Sequence, residues 1–150
     1  MSLKKSGEPA LRAWVGELLE KTNVIGPQPK EDRFDFAPLS DASRLRLDYD
    51  VALTPPNKVC FQPPEEVLAR FEGADYESEF GDEPFVLFGV HPYDMVAINQ
   101  MDEIFSMDNY DAHYMRRRES ATIVALDPQN ISENVFAAGV GTATVDEGFD

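Results

Sequence analysis

The feature that most constrains the fold is the apolar run Pro84–Val90, which has the length of one strand and leads into a helix. Its residues do not alternate between polar and apolar, a pattern typical of a strand covered on both faces. Beyond the turn His91-Pro92-Tyr93-Asp94, apolar residues recur at helical spacing across residues 95–105. A second strand-like run occupies Ala121–Leu126. A strand, a helical crossover and a strand predict a parallel unit, hence a single α/β domain with a mixed sheet and flanking helices.

Segments before this unit carry weaker signals. Apolar residues at positions 11, 14, 15, 18 and 19 predict an amphipathic helix, with Pro9 in its first turn. Segments 23–27 and 33–39 are bounded by prolines and predict short strands at a sheet edge. Residues 45–62 predict extended chain, because proline pairs disfavour helix in the residues before them.

Three further segments complete the prediction. Pro64 is suited to begin a short helix after the second proline pair. The acidic segment 72–83 has little apolar content and predicts a solvated loop, or a crossover between two halves of the domain. Residues 110–118 predict another short helix.

Composition excludes several classes of partner. The 150 residues suffice for one domain, and 28 acidic residues against 13 basic ones give a net charge of -15. Such a surface repels phosphate backbones and anionic lipid, so we expect no nucleic acid partner. The absence of a long apolar segment or an apolar leader predicts a cytoplasmic protein without membrane insertion. One cysteine and two histidines cannot build an all-protein Cys/His zinc site.

Several short motifs resemble one family of proteins. They are Gly89-Val90-His91-Pro92-Tyr93-Asp94, Tyr114-Met115-Arg116-Arg117-Arg118-Glu119, Ile123-Val124-Ala125-Leu126-Asp127 and Thr54-Pro55-Pro56-Asn57-Lys58, with segments 24–27, 47–49 and 61–68. In order and spacing they are similar to iron–sulfur electron-transfer subunits, a family found in anaerobic sulfite reductases and, as the beta subunits, in archaeal sulfhydrogenases. The resemblance runs from residue 17 to residue 150 and matches the family's region outside its ferredoxin module.

The resemblance also implies where the family binds a 4Fe–4S cluster through four cysteines. The matching positions here are Tyr93, Pro128, Val135 and Ala137, and none is cysteine. Because thiolates are the usual protein ligands of such a cluster, the resemblance predicts a retained scaffold without a cofactor in this chain. Tyr93 would then fill the vacated space and contact residues 135–137. The family's C-terminal ferredoxin module is absent, which fits either a domain cut from a longer polypeptide or a naturally shortened relative.

Two places are candidate sites, although no residue is identified as catalytic. His91 and Asp94 follow a buried strand and begin a helix, where open α/β sheets commonly bind ligands. Arg116, Arg117 and Arg118 are the basic cluster of an acidic chain and could bind a phosphate or an acidic partner. Pairing with nearby carboxylates such as Asp111 or Glu119 is the simpler interpretation. Cys60, between apolar neighbours, is expected to be a small buried side chain.

Two functions are consistent with these observations. The first is an accessory or docking component of an oxidoreductase complex, related to hydrogenase or sulfite reductase subunits and partnered by other protein subunits. The second is a stand-alone enzyme that binds a small molecule or nucleotide in a pocket formed by His91, Asp94 and residues 116–118.

Overall fold

A computed structural model describes residues 7–62, 67–133 and 135–150, and it shows helices packed on both faces of a mixed sheet. The strands are β1 (Asn23–Lys30), β2 (Arg33–Pro38), β3 (Ala69–Glu72), β4 (Asp75–Ser78), β5 (Phe85–Val90) and β6 (Ala121–Ala125). The helices are α1 (Glu8–Leu19), α2 (Pro56–Cys60), α3 (Pro92–Ser106) and α4 (Ala112–Glu119), with short 3-10 helices at Ala42–Arg44 and Ala137–Val140.

The main sheet has the strand order β2-β1-β5-β6. Strands β1, β5 and β6 are parallel, with Leu87 opposite both Ile25 and Ile123, whereas β2 runs antiparallel to β1. Strands β3 and β4 form a separate two-stranded hairpin. The predicted α/β domain with a mixed sheet and a parallel strand–helix–strand unit is therefore confirmed.

Strand β5 is apolar throughout because both of its faces are covered. Val86 and Phe88 pack with Val15 of α1, and the Trp14 and Phe88 rings meet edge to face at 5.5 Å. Phe85 and Leu87 belong to the core on the opposite face, whose other buried residues include Cys60, Met95, Ile98 and Tyr114 of α2, α3 and α4. Packing on both faces holds the sheet in place, and it therefore also positions the carboxyl ends of the parallel strands.

The position of β1 differs from the prediction. We expected segment 23–27 at a sheet edge, but β1 lies between β2 and β5. It pairs with β5 only along Asn23–Ile25, so Pro27 and Pro29 fall beyond that ladder and face β2. An interior strand thus tolerates prolines because they lie where pairing on one side has already ended.

The structure corrects the predictions made for the middle of the chain. Residues 56–60 form helix α2 rather than extended chain, because Pro56 occupies the first turn, where a missing N–H costs nothing. The predicted helix start at Pro64 lies outside the described residues, and the chain forms strand β3 at Ala69–Glu72. The acidic segment is exposed, as expected, but it forms part of the β3–β4 hairpin instead of a loop. Helices α1, α3 and α4 and strands β5 and β6 confirm the other predictions.

The longest of the described helices, α3, has 15 residues. None of the helices in the described part of the chain has both the length and the apolar character needed to cross a membrane.

Candidate functional site

The candidate site lies where β5 ends and α3 begins. The Val90 carbonyl accepts a bond of 2.8 Å from the Leu126 amide of the neighbouring chain segment. His91 is the N-cap residue of α3, and Pro92 occupies the next position, where it favours helix initiation. The turn therefore holds His91 and Asp94 at the carboxyl ends of the parallel strands, as the sequence predicted.

His91 is completely buried and lies against Tyr49. The two rings are parallel, with an interplanar angle of 2° and centroids 4.0 Å apart. The His91 Nδ1 atom lies 2.6 Å from the Tyr93 hydroxyl, which donates its own hydrogen to the Asp50 carbonyl. Since that hydroxyl can then only accept from Nδ1, the network assigns the imidazole proton to Nδ1 and leaves a lone pair on Nε2.

Burial keeps this imidazole neutral. It lowers the pKa of His91 to about 4, against a smaller opposing effect of Asp50. The Nε2 atom has no hydrogen-bond partner among the described residues. A neutral imidazole with an available lone pair can accept a hydrogen bond or a proton from a donor brought beside it.

Asp94 stands in the first turn of α3 and is partly buried. Burial raises the pKa of its carboxyl from 3.8 to about 6. Burial of both phenols, together with the nearby charge of Asp94, raises the pKa values of Tyr49 and Tyr93. Asp94 and His91 are thus titratable groups whose pKa values burial shifts in opposite directions, a feature of many functional sites.

Tyr49 was not identified from sequence as a site residue. Besides stacking on His91, it donates a buried hydrogen bond of 2.7 Å to the carbonyl of Gly89, where the β5–β6 ladder is irregular. Gly89 adopts a φ of 84°, a conformation that residues with a side chain rarely adopt. The available signal was the position of Tyr49 within segment 47–49, which belongs to the motifs that resemble the family.

The four positions that the resemblance matches to cluster ligands lie in segments that follow β5 and β6. Tyr93 is in the first turn of α3, Pro128 follows β6, and Val135 and Ala137 come later in the same segment. A cavity of about 290 Å³ is lined by the chain neighbours of the first two positions, Pro92 and Asp127, and by Ala125, Leu126, Val145 and Phe149. The described hydrogen bonds of Tyr93 go to Asp50 and His91. Its contact with residues 135–137 stays a prediction.

The donor set does not fit a 4Fe–4S cluster at these positions. Tyrosine, proline, valine and alanine side chains supply no thiolate. The thiol of Cys60 is buried in the core with Phe61, and burial raises its pKa to about 12, which confirms its expected role as a buried apolar side chain. Among the described residues, no group of three or more His, Cys, Asp or Glu side chains is arranged to hold a metal ion.

The arginines of α4 diverge from one another, since successive helical residues differ by about 100°. Arg116 lies over the Phe80 ring at 4.0 Å and 3.8 Å from Asp82. Arg118 donates to Asp102 and to the Gly148 carbonyl, both at 2.8 Å. Arg116 and Arg118 therefore pair within the chain, as the sequence favoured, but their carboxylate partners are Asp82 and Asp102 and not the expected Asp111 or Glu119. Arg117 lies close enough to lower the pKa of the Cys60 thiol slightly.

The fold and site define an α/β domain whose candidate site lies at the carboxyl ends of its parallel strands. The chain is similar to Sulfhydrogenase 2 subunit beta of Pyrococcus furiosus, with 32% identity over 137 residues, a match that covers 91% of this chain. The chain spans 40% of the length of that subunit. No protein-family model matches the chain. No solved structure matches it either.

Proposed function

We propose that the chain is an accessory or docking component of a hydrogenase-like oxidoreductase complex, and that it binds no iron–sulfur cluster of its own. The similarity to Sulfhydrogenase 2 subunit beta across 91% of the chain carries this proposal. In this proposal the chain corresponds to the part of such a subunit outside its ferredoxin module. Its partners are the other protein subunits of the redox complex.

The chemistry of the ligand positions that the resemblance implies supports the proposed lack of a cluster. Iron–sulfur clusters are held by thiolates, and Tyr93, Pro128, Val135 and Ala137 provide none. Cys60 does not replace them as a ligand, because its thiol is buried among aromatic and aliphatic residues. The scaffold would then contribute shape and contacts to the complex while electrons pass through other subunits.

The alternative of a stand-alone enzyme has less support. Arg116 and Arg118 bind carboxylates and carbonyls of their own chain, so they do not converge with His91 on one pocket. The cavity beside α3 is about 290 Å³, at the lower limit for pockets that hold small molecules.

Affinity purification of the tagged chain from its native host, under anaerobic conditions, tests the docking role. We expect hydrogenase or related redox subunits to co-elute in fixed stoichiometry. A chain that elutes without redox subunits at every salt concentration tested would contradict the proposal.

Reconstitution with iron and sulfide tests the cluster assignment. The wild-type protein should stay colourless, whereas absorbance near 400 nm with about four irons per chain would contradict its cluster-free state. The variant Tyr93→Cys/Pro128→Cys/Val135→Cys/Ala137→Cys should gain that absorbance if these are the former ligand positions. Tyr93→Cys/Pro128→Cys serves as the matched control, since two thiolates cannot complete the cluster. A folded fourfold variant that gains no iron would refute the assignment of these positions.

A further inference from the structure

The β3–β4 hairpin is built as a short arm with one apolar face. Gly73, at the first position of its two-residue turn, has a φ of 70°, which suits the tight turn of a hairpin. Phe71 and Tyr76 are directly opposite each other in the antiparallel register, with ring centroids 6.0 Å apart. Since side chains alternate along a strand, Arg70 and Glu77 project from the opposite face.

The apolar face of this arm is open. Phe71 is 77% exposed and Tyr76 is 69% exposed, and the adjoining Val67 and Leu68 are each about half exposed. A two-stranded hairpin is marginally stable in water unless its apolar face packs against something. Aromatic side chains grouped on a surface in this way are typical of the anchors of protein interfaces.

The base of the arm, by contrast, is fixed to the domain. Phe80 contacts both Arg116, at 4.0 Å, and the His113 ring, at 4.7 Å between centroids. The Ser120 hydroxyl donates to the Asp82 carbonyl at 2.7 Å. These contacts with α4 hold the chain that follows β4 in place, so one end of the arm has a defined position on the protein.

Charge limits what can cover the aromatic pair. Between residues 67 and 83 the chain carries a single basic residue, Arg70, and six acidic ones: Glu72, Asp75, Glu77, Glu79, Asp82 and Glu83. A nucleic acid would be repelled. A second copy of the chain, at a net charge of -15, would also be repelled.

We propose that the β3–β4 hairpin is a docking arm for a basic protein surface, in which Phe71 and Tyr76 enter an apolar groove rimmed by lysine and arginine. The negative charge that Glu72, Asp75 and Glu77 give the arm would attract that basic rim, which favours encounter and excludes acidic partners. This inference deepens the proposed docking role and rests on it for the kind of complex involved.

Site-specific photo-cross-linking in the native host identifies what the arm contacts. Benzoylphenylalanine replaces Tyr76 in one variant and Tyr110, which is 57% exposed on the α3–α4 connection, in a matched control. We expect the Tyr76 variant to label a peptide in which basic residues flank apolar ones, and the Tyr110 variant to leave that peptide unlabelled. Cross-links from Tyr76 to the chain itself, to nucleic acid or to an acidic surface would overturn the proposal.

Titration of the cross-linked protein, once purified, measures what the arm contributes. Phe71→Ala/Tyr76→Ala should raise Kd at least about 30-fold, the effect of losing one strong interface anchor. Ile104→Ala/Met107→Ala removes comparably exposed apolar side chains elsewhere and should change Kd less than about twofold. Glu72→Gln/Glu77→Gln should weaken binding at low salt and have little effect at high salt. Unchanged Kd in the aromatic variant, with its melting curve intact, would overturn the proposal.

The outcomes separate this inference from the proposed function. If redox subunits co-elute with wild-type and aromatic-variant proteins alike, the docking role stands and the arm is not the docking element. If the arm binds a basic protein and no redox subunit co-elutes with the wild-type protein, the docking role of the arm is supported and the proposed function fails.

Discussion

Replacing Asp94 with asparagine should stabilise the protein at neutral pH. Burial raises the pKa of the Asp94 carboxyl from 3.8 to about 6, so the folded protein holds this proton more tightly than the unfolded chain does. The resulting stabilisation is fully present below pH 3.8 and is lost as the pH rises through about 6. At pH 7.5 the carboxylate is therefore ionised at a cost, and an uncharged amide of similar size avoids that cost.

The size of the Asp94 pKa shift sets the gain in stability that we expect from Asp94→Asn. One pKa unit corresponds to about 1.4 kcal/mol, so ionised Asp94 lowers the free energy of unfolding by about 3 kcal/mol. We expect Asp94→Asn to recover about 2–3 kcal/mol at pH 7.5 and close to nothing at pH 4, where the wild-type carboxyl is already protonated. The difference between the two proteins should therefore grow with pH across this window.

The contribution of His91 to stability has the opposite pH dependence. Burial lowers its pKa from 6.5 to about 4, so its contribution is present above pH 6.5 and is lost as the pH falls through about 4. That pKa shift also corresponds to about 3 kcal/mol of free energy of unfolding. Between pH 4 and 6.5 the pH-dependent contributions of His91 and Asp94 to stability therefore nearly cancel in the wild-type protein. Removing Asp94 should expose the His91 dependence as a steep loss of stability on acidification.

Urea titration at pH 4, 6 and 7.5 measures the free energy of unfolding of each protein. Asp108→Asn is the matched control, because Asp108 is exposed and its replacement should change stability by less than about 0.5 kcal/mol. Equal stability of Asp94→Asn and the wild-type protein at pH 7.5 would refute the reasoning. So would a gain that is the same at pH 4 as at pH 7.5.

Three further substitutions test the geometry of the site and its surroundings. Gly89→Ala should cost about 1–3 kcal/mol, because φ is 84° and a new Cβ would lie 3.3 Å from Pro27, and an unchanged urea midpoint would contradict this. Tyr49→Phe should cost about 1–3 kcal/mol by leaving the buried Gly89 carbonyl without its donor, a loss that thermal melting would reveal or disprove. Arg118→Gln should cost about 1–2 kcal/mol, more than the exposed Arg116→Gln, and equal melting temperatures would contradict that order.

The candidate site was predictable only in part. The sequence placed His91 and Asp94 at the end of a buried strand, because the apolar run and Pro92 mark that boundary locally. It did not indicate that Tyr49 stacks on His91 or that Asp50 accepts from Tyr93, since these partners come from a distant part of the chain. Residue type and sequence spacing do not predict a contact between distant parts of the chain.

The same division holds for the whole fold. Helices α1, α3 and α4, strands β5 and β6 and the α/β class were predictable, because each is specified by an apolar pattern within a few residues. Three features became visible only in the folded chain: β1 is an interior strand, the acidic segment pairs as a hairpin, and Arg116 and Arg118 bind Asp82 and Asp102. Those outcomes depend on which distant segments become neighbours in the folded chain. Burial and charge pairing can choose between possible partners only after the sheet has brought those segments together.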